Sequence, residues 1–270
     1  MIELNKIYNQ NCLDTMSMMP DNFVDLTVTS PPYDNLRKYN GYSFEFEKVA
    51  AELYRVTKPG GVVVWVVGDA TVNGSESGTS FRQALYFMEC GFRLHDTMIY
   101  AKNNFMPLNH NRYEQLFEYC FIFSNGTPTA FNPMLIATTQ KQFRKPEKVR
   151  GAGLDAKSKT AKRALMKPHY TKETKIVGNI LYYNVGIGQS SNDDIAFNHA
   201  AIFPEKLARD MIYSWSNEGN LIYDPFMGSG TTAKMAHLQK RNWIGSEISE
   251  EYVQLANKRI EPYLKQLSLL

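Results

Sequence analysis

The sequence predicts an α/β fold, a mostly parallel sheet covered by helices on both faces. Three observations predict it. Residues 62–67 (VVVWVV) form an unbroken apolar run, the pattern of a central strand buried on both sides. Strand-like and helix-like segments alternate along most of the chain. Near the C-terminus a short strand, a glycine turn, a helix, a second strand and an acid follow one another, the order of a nucleoside-binding unit.

The elements follow in order. Residues 24–29 (VDLTVT) read as a buried strand. It runs into Ser30-Pro31-Pro32-Tyr33. Neither proline has an N–H, so the ladder ends there. The Ser30 hydroxyl and the carbonyls beside the prolines accept hydrogen bonds, and Tyr33 adds a flat ring. Such a platform suits a planar ligand with an amino group, for example a nucleobase. The same four residues also make an ordinary tight turn. Residues 34–44 are polar and aromatic and read as a loop. A helix is expected over 45–56, with Phe46, Val49, Ala50, Leu53 and Val56 at helical spacing. Lys58-Pro59-Gly60-Gly61 is expected to stop it before the 62–67 strand. A helix over 80–90 and strands over 92–101 and 116–123 come next. The periodicity then fades over 132–197, which reads as a separate, irregular region. Order returns with a helix over 203–215, a strand over 221–224 and a helix over 230–240. A strand over 243–247 and a helix over 249–267 close the chain, Ser249 capping the helix ahead of Glu250 and Glu251.

Length and composition bound the function. The chain has 270 residues, 43% apolar and 21% charged, an ordinary globular balance. No run of about 18 apolar residues marks a membrane span. The N-terminus lacks the apolar core of a signal peptide, so a cytoplasmic protein is expected. Cys12, Cys90 and Cys120 form no CxxC pair, so no metal site is expected. The net charge of +3 is unevenly spread. Residues 141–175 hold twelve Lys or Arg against three acids, a net +9 that leaves −6 for the remainder. A basic segment on an acidic body is a footprint for a polyanion, or else a solvated loop. Lys157, Lys159, Lys162, Arg163 and Lys167 are the candidate phosphate contacts.

The glycine turn is Asp224-Pro225-Phe226-Met227-Gly228-Ser229-Gly230-Thr231-Thr232. Glycines allow a sharp turn and close approach of a ligand, and the helix start offers unpaired N–H groups. Glu247 lies about 20 residues on, where an acid binds ribose hydroxyls in nucleotide folds. The segment does not name its cofactor. Gly228, Gly230 and Ala233 also fit the dinucleotide pattern GxGxxA of a nicotinamide-dependent oxidoreductase.

Taken together, the two motifs resemble those of the amino-methylating DNA methyltransferases, which use S-adenosylmethionine. That family carries (Asp/Asn/Ser)-Pro-Pro-(Tyr/Phe/Trp), matched at residues 30–33, and a cofactor motif matched at 224–232. Residues 198–204 resemble the segment that closes over the methionine part of the cofactor, with His199 and Phe203 as candidate contacts. The catalytic motif comes first and the cofactor motif last, which is similar to the β arrangement of the family. The resemblance implies a Rossmann-like, circularly permuted sheet of seven strands, in which Lys6–Tyr8 is the strand that the last helix would lead into were the termini joined. It implies residues 1–131 and 198–270 as the methyltransferase domain and 132–197 as the target-recognition region. It further implies double-stranded DNA as substrate, base flipping and a microbial or phage source, and it leaves open whether the enzyme is solitary or belongs to a restriction-modification system with a cognate endonuclease as partner. The Ser form is usual for the N4 amino group of cytosine and the Asp form for the N6 amino group of adenine, so cytosine is expected, with adenine as the alternative. Ser30 and the Pro31 carbonyl are then expected to orient the amine and Tyr33 to stack on the base. Phe226 is expected to pack on the cofactor, Thr231 and Thr232 to bond its carboxylate and Glu247 to take its ribose.

Overall fold

The structure, a computed structural model, describes residues 2–32, 44–104, 112–137, 173–186, 188–198 and 202–267. The described chain divides into two compact units, residues 1–132 with 178–270, and residues 133–177.

The larger unit is built on an eight-stranded sheet. In chain order its strands are β1 (Lys6–Tyr8), β2 (Val24–Thr29) and β3 (Thr57–Val67), then β6 (Arg93–Lys102), β7 (Phe117–Ser124), β10 (Ile180–Tyr183), β11 (Leu221–Asp224) and β12 (Asn242–Ser246). The numbers between belong to two short hairpins, β4 (Thr71–Val72) with β5 (Ser75–Glu76) and β8 (Leu135–Ala137) with β9 (Thr174–Ile176). The spatial order is β1-β12-β11-β2-β3-β7-β6-β10. Only β7 runs against its neighbours.

Helices α1 (Cys12–Ser17), α2 (Phe46–Val56) and α3 (Thr79–Glu89) cover one face. Val63, Trp65 and Val67 of β3 point into that layer, against Val49, Leu53 and Phe87. Helices α4 (Glu205–Trp215), α5 (Thr231–Leu238) and α6 (Glu250–Leu267) belong to the other side, where Met211 of α4 meets Cys120 of β7. Strands buried on both faces explain why 62–67 reads as one apolar run.

Three expectations need correction. The sheet has eight strands where seven were expected. The extra strand β10 pairs in parallel with β6, Ile180 opposite Ile99, and it lies inside the stretch read as irregular. Residues 178–197 therefore group with the larger unit, and the smaller one ends at residue 177. Lys58-Pro59-Gly60-Gly61 does not act as the expected stop: α2 ends at Val56, and these residues lie within the strand that begins at Thr57. These four residues form a bulge instead, since the register jumps from Val24 opposite Thr57 to Leu26 opposite Val62. Proline offers no ladder donor, and at Gly60, with φ +79°, a Cβ would lie 2.3 Å from Thr129 Cγ2.

The smaller unit contains the antiparallel pair β8–β9, with Leu135 opposite Ile176. Most of the basic segment lies outside the described residues.

Candidate active site

In an open parallel sheet, ligands bind beyond the carboxyl ends of the strands, where the chain's connections diverge. Here that point falls between β11 and β2. These strands are parallel neighbours, with Ile222 opposite Leu26 and Tyr223 opposite Thr27. β11 continues through α5 to β12 on one side, whereas β2 continues through α2 to β3 on the other. The two sequence motifs begin at the carboxyl ends of these two strands. Residues 195 positions apart are thereby brought together.

Asp224 joins the motifs physically. It is buried. Its Oδ1 accepts hydrogen bonds from Thr29 Oγ1 at 2.7 Å and from the Phe226 N–H at 3.0 Å. Its Oδ2 accepts one from Thr232 Oγ1 at 2.6 Å. The end of β2, the turn and the start of α5 thus share one carboxylate. Burial raises its pKa to about 6, against the pull of these hydrogen bonds. Ser30 follows Thr29 directly and is half-buried, Pro31 is buried and Pro32 half-buried. Tyr33 lies outside the described residues.

The turn itself depends on its glycines. Gly228 has φ +50° and Gly230 φ +82°, left-handed conformations that side chains resist. The Met227 N–H donates to the Ser246 carbonyl at 2.8 Å, fastening the turn to β12. Phe226 is half-buried. Its ring stands edge-on to Phe44 at 5.3 Å and to Trp65 at 6.3 Å, so part of its surface is held by the core. Pro225 is buried beside it.

Glu247 follows β12. Its Oε2 accepts the Gly228 N–H and its Oε1 the Ser249 N–H, both at 2.9 Å. Burial raises its pKa, and no cation among the described residues offsets that. A carboxylate has about four acceptor positions, so this one is fixed in place and retains capacity for neutral donors such as sugar hydroxyls. Asn9, which sequence reading missed, holds the backbone here. Its Nδ2 donates to the carbonyls of Glu247 at 3.0 Å and Ile248 at 3.1 Å.

Ser229, Thr231 and Thr232 are all buried. Thr232 is engaged by Asp224, and Thr231 Oγ1 accepts from Arg259 Nη1 at 3.0 Å. Phe203 is half-buried just before α4. His199 and the five candidate phosphate contacts, Lys157, Lys159, Lys162, Arg163 and Lys167, lie outside the described residues. Sequence reading also missed Asp69, beyond β3. Its carboxylate accepts from the Ser80 N–H at 2.9 Å and from Ser77 Oγ at 3.1 Å, which fixes the start of α3.

A sequence model of the DNA methylase family matches residues 24–258. The chain belongs to that family. Among its relatives, the orphan methyltransferase M.BamHII of Bacillus amyloliquefaciens is 55% identical over 241 residues, covering 89% of this chain and 90% of that protein. The type II methyltransferase M.MthZI of Methanothermobacter thermautotrophicus is 28% identical, over 97% of this chain and 78% of that protein. Among solved structures, the PvuII DNA methyltransferase (cytosine-N4-specific) shares the fold with a TM-score of 0.68 at 21% identity, covering 97% of this chain and 91% of that one. The structure of M1.HpyAVI in complex with SAM aligns with a TM-score of 0.59 at 23% identity, over 94% of this chain and 98% of that one. The DNA methylases are thus the family in which the two motifs of this chain have their place.

Proposed function

We propose that this DNA methyltransferase transfers a methyl group from S-adenosylmethionine to the N4 amino group of cytosine in double-stranded DNA. The observation that carries the proposal is the shared anchor at Asp224. It sets Ser30, the acceptor that opens the platform, one residue from a strand end bonded to the cofactor turn.

The turn residues fit this cofactor. Glu247 is a fixed carboxylate with acceptor capacity for the ribose, Gly228 and Gly230 let the backbone come close, and Phe226 offers the free part of its ring. S-adenosylmethionine, when bound, supplies a methyl group on a positive sulfur. The work left to the protein is to make an amine nucleophilic, because an exocyclic amino group shares its lone pair with the ring. Ser30 Oγ and the Pro31 carbonyl accept its two N–H bonds, which concentrates the lone pair on nitrogen and fixes its direction. Tyr33 stacks on the base. The nitrogen would take the methyl group with its lone pair as the sulfur keeps the electrons of the broken bond, and would then release one N–H proton to water. Positioning and electrostatics supply most of the rate. The base must leave the duplex first, at a cost of a few kcal/mol, and Lys157, Lys159, Lys162, Arg163 and Lys167 hold the phosphates while it does.

Cytosine is favoured over adenine by Ser30, the form usual in cytosine-N4 enzymes, and by the specificity in the name of the PvuII neighbour. The name of the 55% relative, an orphan methyltransferase, supports action without a partner endonuclease. Methylated DNA digested to nucleosides and analysed by mass spectrometry is expected to contain N4-methylcytosine. N6-methyladenine in its place would overturn the base assignment while leaving the reaction intact. Ser30→Ala is expected to lower turnover by about a hundredfold or more, the scale of losing one oriented hydrogen-bonding group, with cofactor affinity unchanged.

A further inference from the structure

Behind the glycine turn lies a cluster of charged side chains that the proposed chemistry does not use. Arg259 of α6 and Lys234 of α5 are buried, and Asp193 and Glu205 face them. Arg259 Nε donates to Asp193 Oδ2 at 2.8 Å, and its Nη2 donates to Glu205 Oε1 at 2.6 Å and Ser191 Oγ at 3.2 Å. Lys234 Nζ donates to the same two acids at 2.7 and 2.8 Å. Tyr263 closes the cluster by donating to Asp193 Oδ1 at 2.7 Å. Burial pushes Asp193 up, yet the hydrogen bonds from Arg259, Lys234 and Tyr263 outweigh it and hold the group at about 2. Two cations and two anions balance, so the cluster stays charged at neutral pH.

The remaining face of Arg259 is turned to the cofactor loop. Its Nη1 donates to the Ser229 carbonyl at 2.9 Å, to Ser229 Oγ at 3.0 Å and to Thr231 Oγ1 at 3.0 Å. The Lys234 side chain bonds Asp193 and Glu205, and its link to the turn is its backbone N–H, which donates to the Gly230 carbonyl at 3.0 Å. Arg259 also sits at the start of α5, where a cation opposes the helix dipole, so helix stability does not explain its place. Its other partners, Asp193 and Glu205, stand just before the short 3-10 helix Asp194–Asn198 and at the first residue of α4. They bracket the stretch that resembles the family's cofactor-closing segment.

We propose that Arg259 is a positioning residue for the cofactor: its guanidinium locks the Ser229–Thr231 turn to Asp193 and to Glu205 at the start of α4. The role needs a planar fork whose N–H groups point in fixed, divergent directions. One nitrogen of a lysine cannot serve both sides. The inference rests on the reading that S-adenosylmethionine binds at this turn.

The test uses the full chain, with Arg259→Lys and Lys234→Gln compared with the parent. Cofactor affinity is read by isothermal titration, thermal midpoint by circular dichroism and backbone exchange at residues 228–232 by mass spectrometry. Arg259→Lys is expected to raise the cofactor Kd and KM by about tenfold to a hundredfold, the scale of one or two charge-assisted hydrogen bonds. It should also speed exchange at the turn while leaving kcat at saturating cofactor and DNA affinity near the parent values. Lys234→Gln is expected to lower the thermal midpoint with little change in cofactor Kd. A folded Arg259→Lys with parental Kd and exchange would overturn the proposal. So would an equal Kd increase in both variants, which would mark the cluster as a stability device. If Arg259→Lys does not fold, the pair Arg259→Met with Glu205→Met leaves Lys234 balanced by Asp193, and the same increase is expected of it. A parent protein that shows no cofactor binding would instead sink the cofactor reading itself.

Discussion

Asp224 is buried in the turn and Asp193, half-buried, is joined to the turn through Arg259, and their surroundings drive them in opposite directions. Asp193 faces two cations and is held at about 2, while Asp224 accepts from two hydroxyls and one N–H, lies near the acid Glu247, and through burial rises to about 6. The sign of the consequence is fixed by linkage. A group whose folded pKa lies above its unfolded value stabilises fully below the unfolded pKa and loses that contribution as pH rises through the folded one. For Asp224 the window runs from about 4 to about 6, and the loss across it is about 3 kcal/mol. Asp224→Asn removes the titration. At pH 4 the parent carboxyl is protonated and, like the amide, presents one acceptor oxygen and one donor group, so the two proteins should be of similar stability. The variant should gain on the parent by about 2 kcal/mol between pH 4 and pH 6.5, where the parent carries a buried charge. Urea unfolding at the two pH values measures this. A pH-independent difference would show that Asp224 titrates normally. The ionised carboxylate is nonetheless the form that best holds Thr29 and Thr232, so stability is traded for a fixed relation between platform and turn.

At the scale of elements, the turn between β11 and α5 is a conformation that only its glycines permit. Gly230→Ala places a side chain at φ +82°, with its Cβ 3.0 Å from both Ala256 Cβ and Ile260 Cδ1 of α6. It is expected to cost about 2 kcal/mol and to weaken cofactor binding, read as a lower urea midpoint and a raised Kd. An unchanged midpoint would show that α6 yields. This constraint is what made the turn legible: a backbone that needs positive φ writes glycine into the sequence. Long amphipathic elements were legible for a related reason. The buried face of α2, Val49, Ala50, Leu53 and Val56, repeats often enough to set a period. Short elements without such a marker were not, whereas β11, also four residues long, was marked by the glycine turn that follows it. α1 has six residues and β10 four, too few for a period to emerge, and β10 is specified by its pairing with β6. The ionic cluster was hidden because its members lie at positions 193, 205, 234, 259 and 263. One signal did exist. Arg259 stands between the buried Ala256 and Ile260 of α6, and a charge placed there needs a partner.

The whole molecule carries its charge in two parts. Residues 141–175 hold a net +9 and the rest a net −6, so most of the surface repels a phosphate backbone and one segment attracts it. The Debye length is about 8 Å at physiological ionic strength, so at that salt repulsion by the body is short-ranged and contacts made by the segment dominate affinity. Each phosphate neutralised releases condensed counterions, and the dependence of log K on log salt steepens by about one per contact. Replacing Lys157, Lys159, Lys162 and Arg163 by Gln is therefore expected to flatten that slope by up to about 4 and to weaken binding to all duplexes alike. Phosphate contacts position a protein without reading sequence, so discrimination between sites should survive. Cofactor affinity should survive as well, since the glycine turn belongs to the other unit of the chain. Fluorescence anisotropy on a duplex oligonucleotide from 50 to 300 mM salt would measure both quantities. A slope equal to that of the parent would remove these four residues from the phosphate contacts and place those contacts on the eight other cations of the segment or on the methyltransferase body.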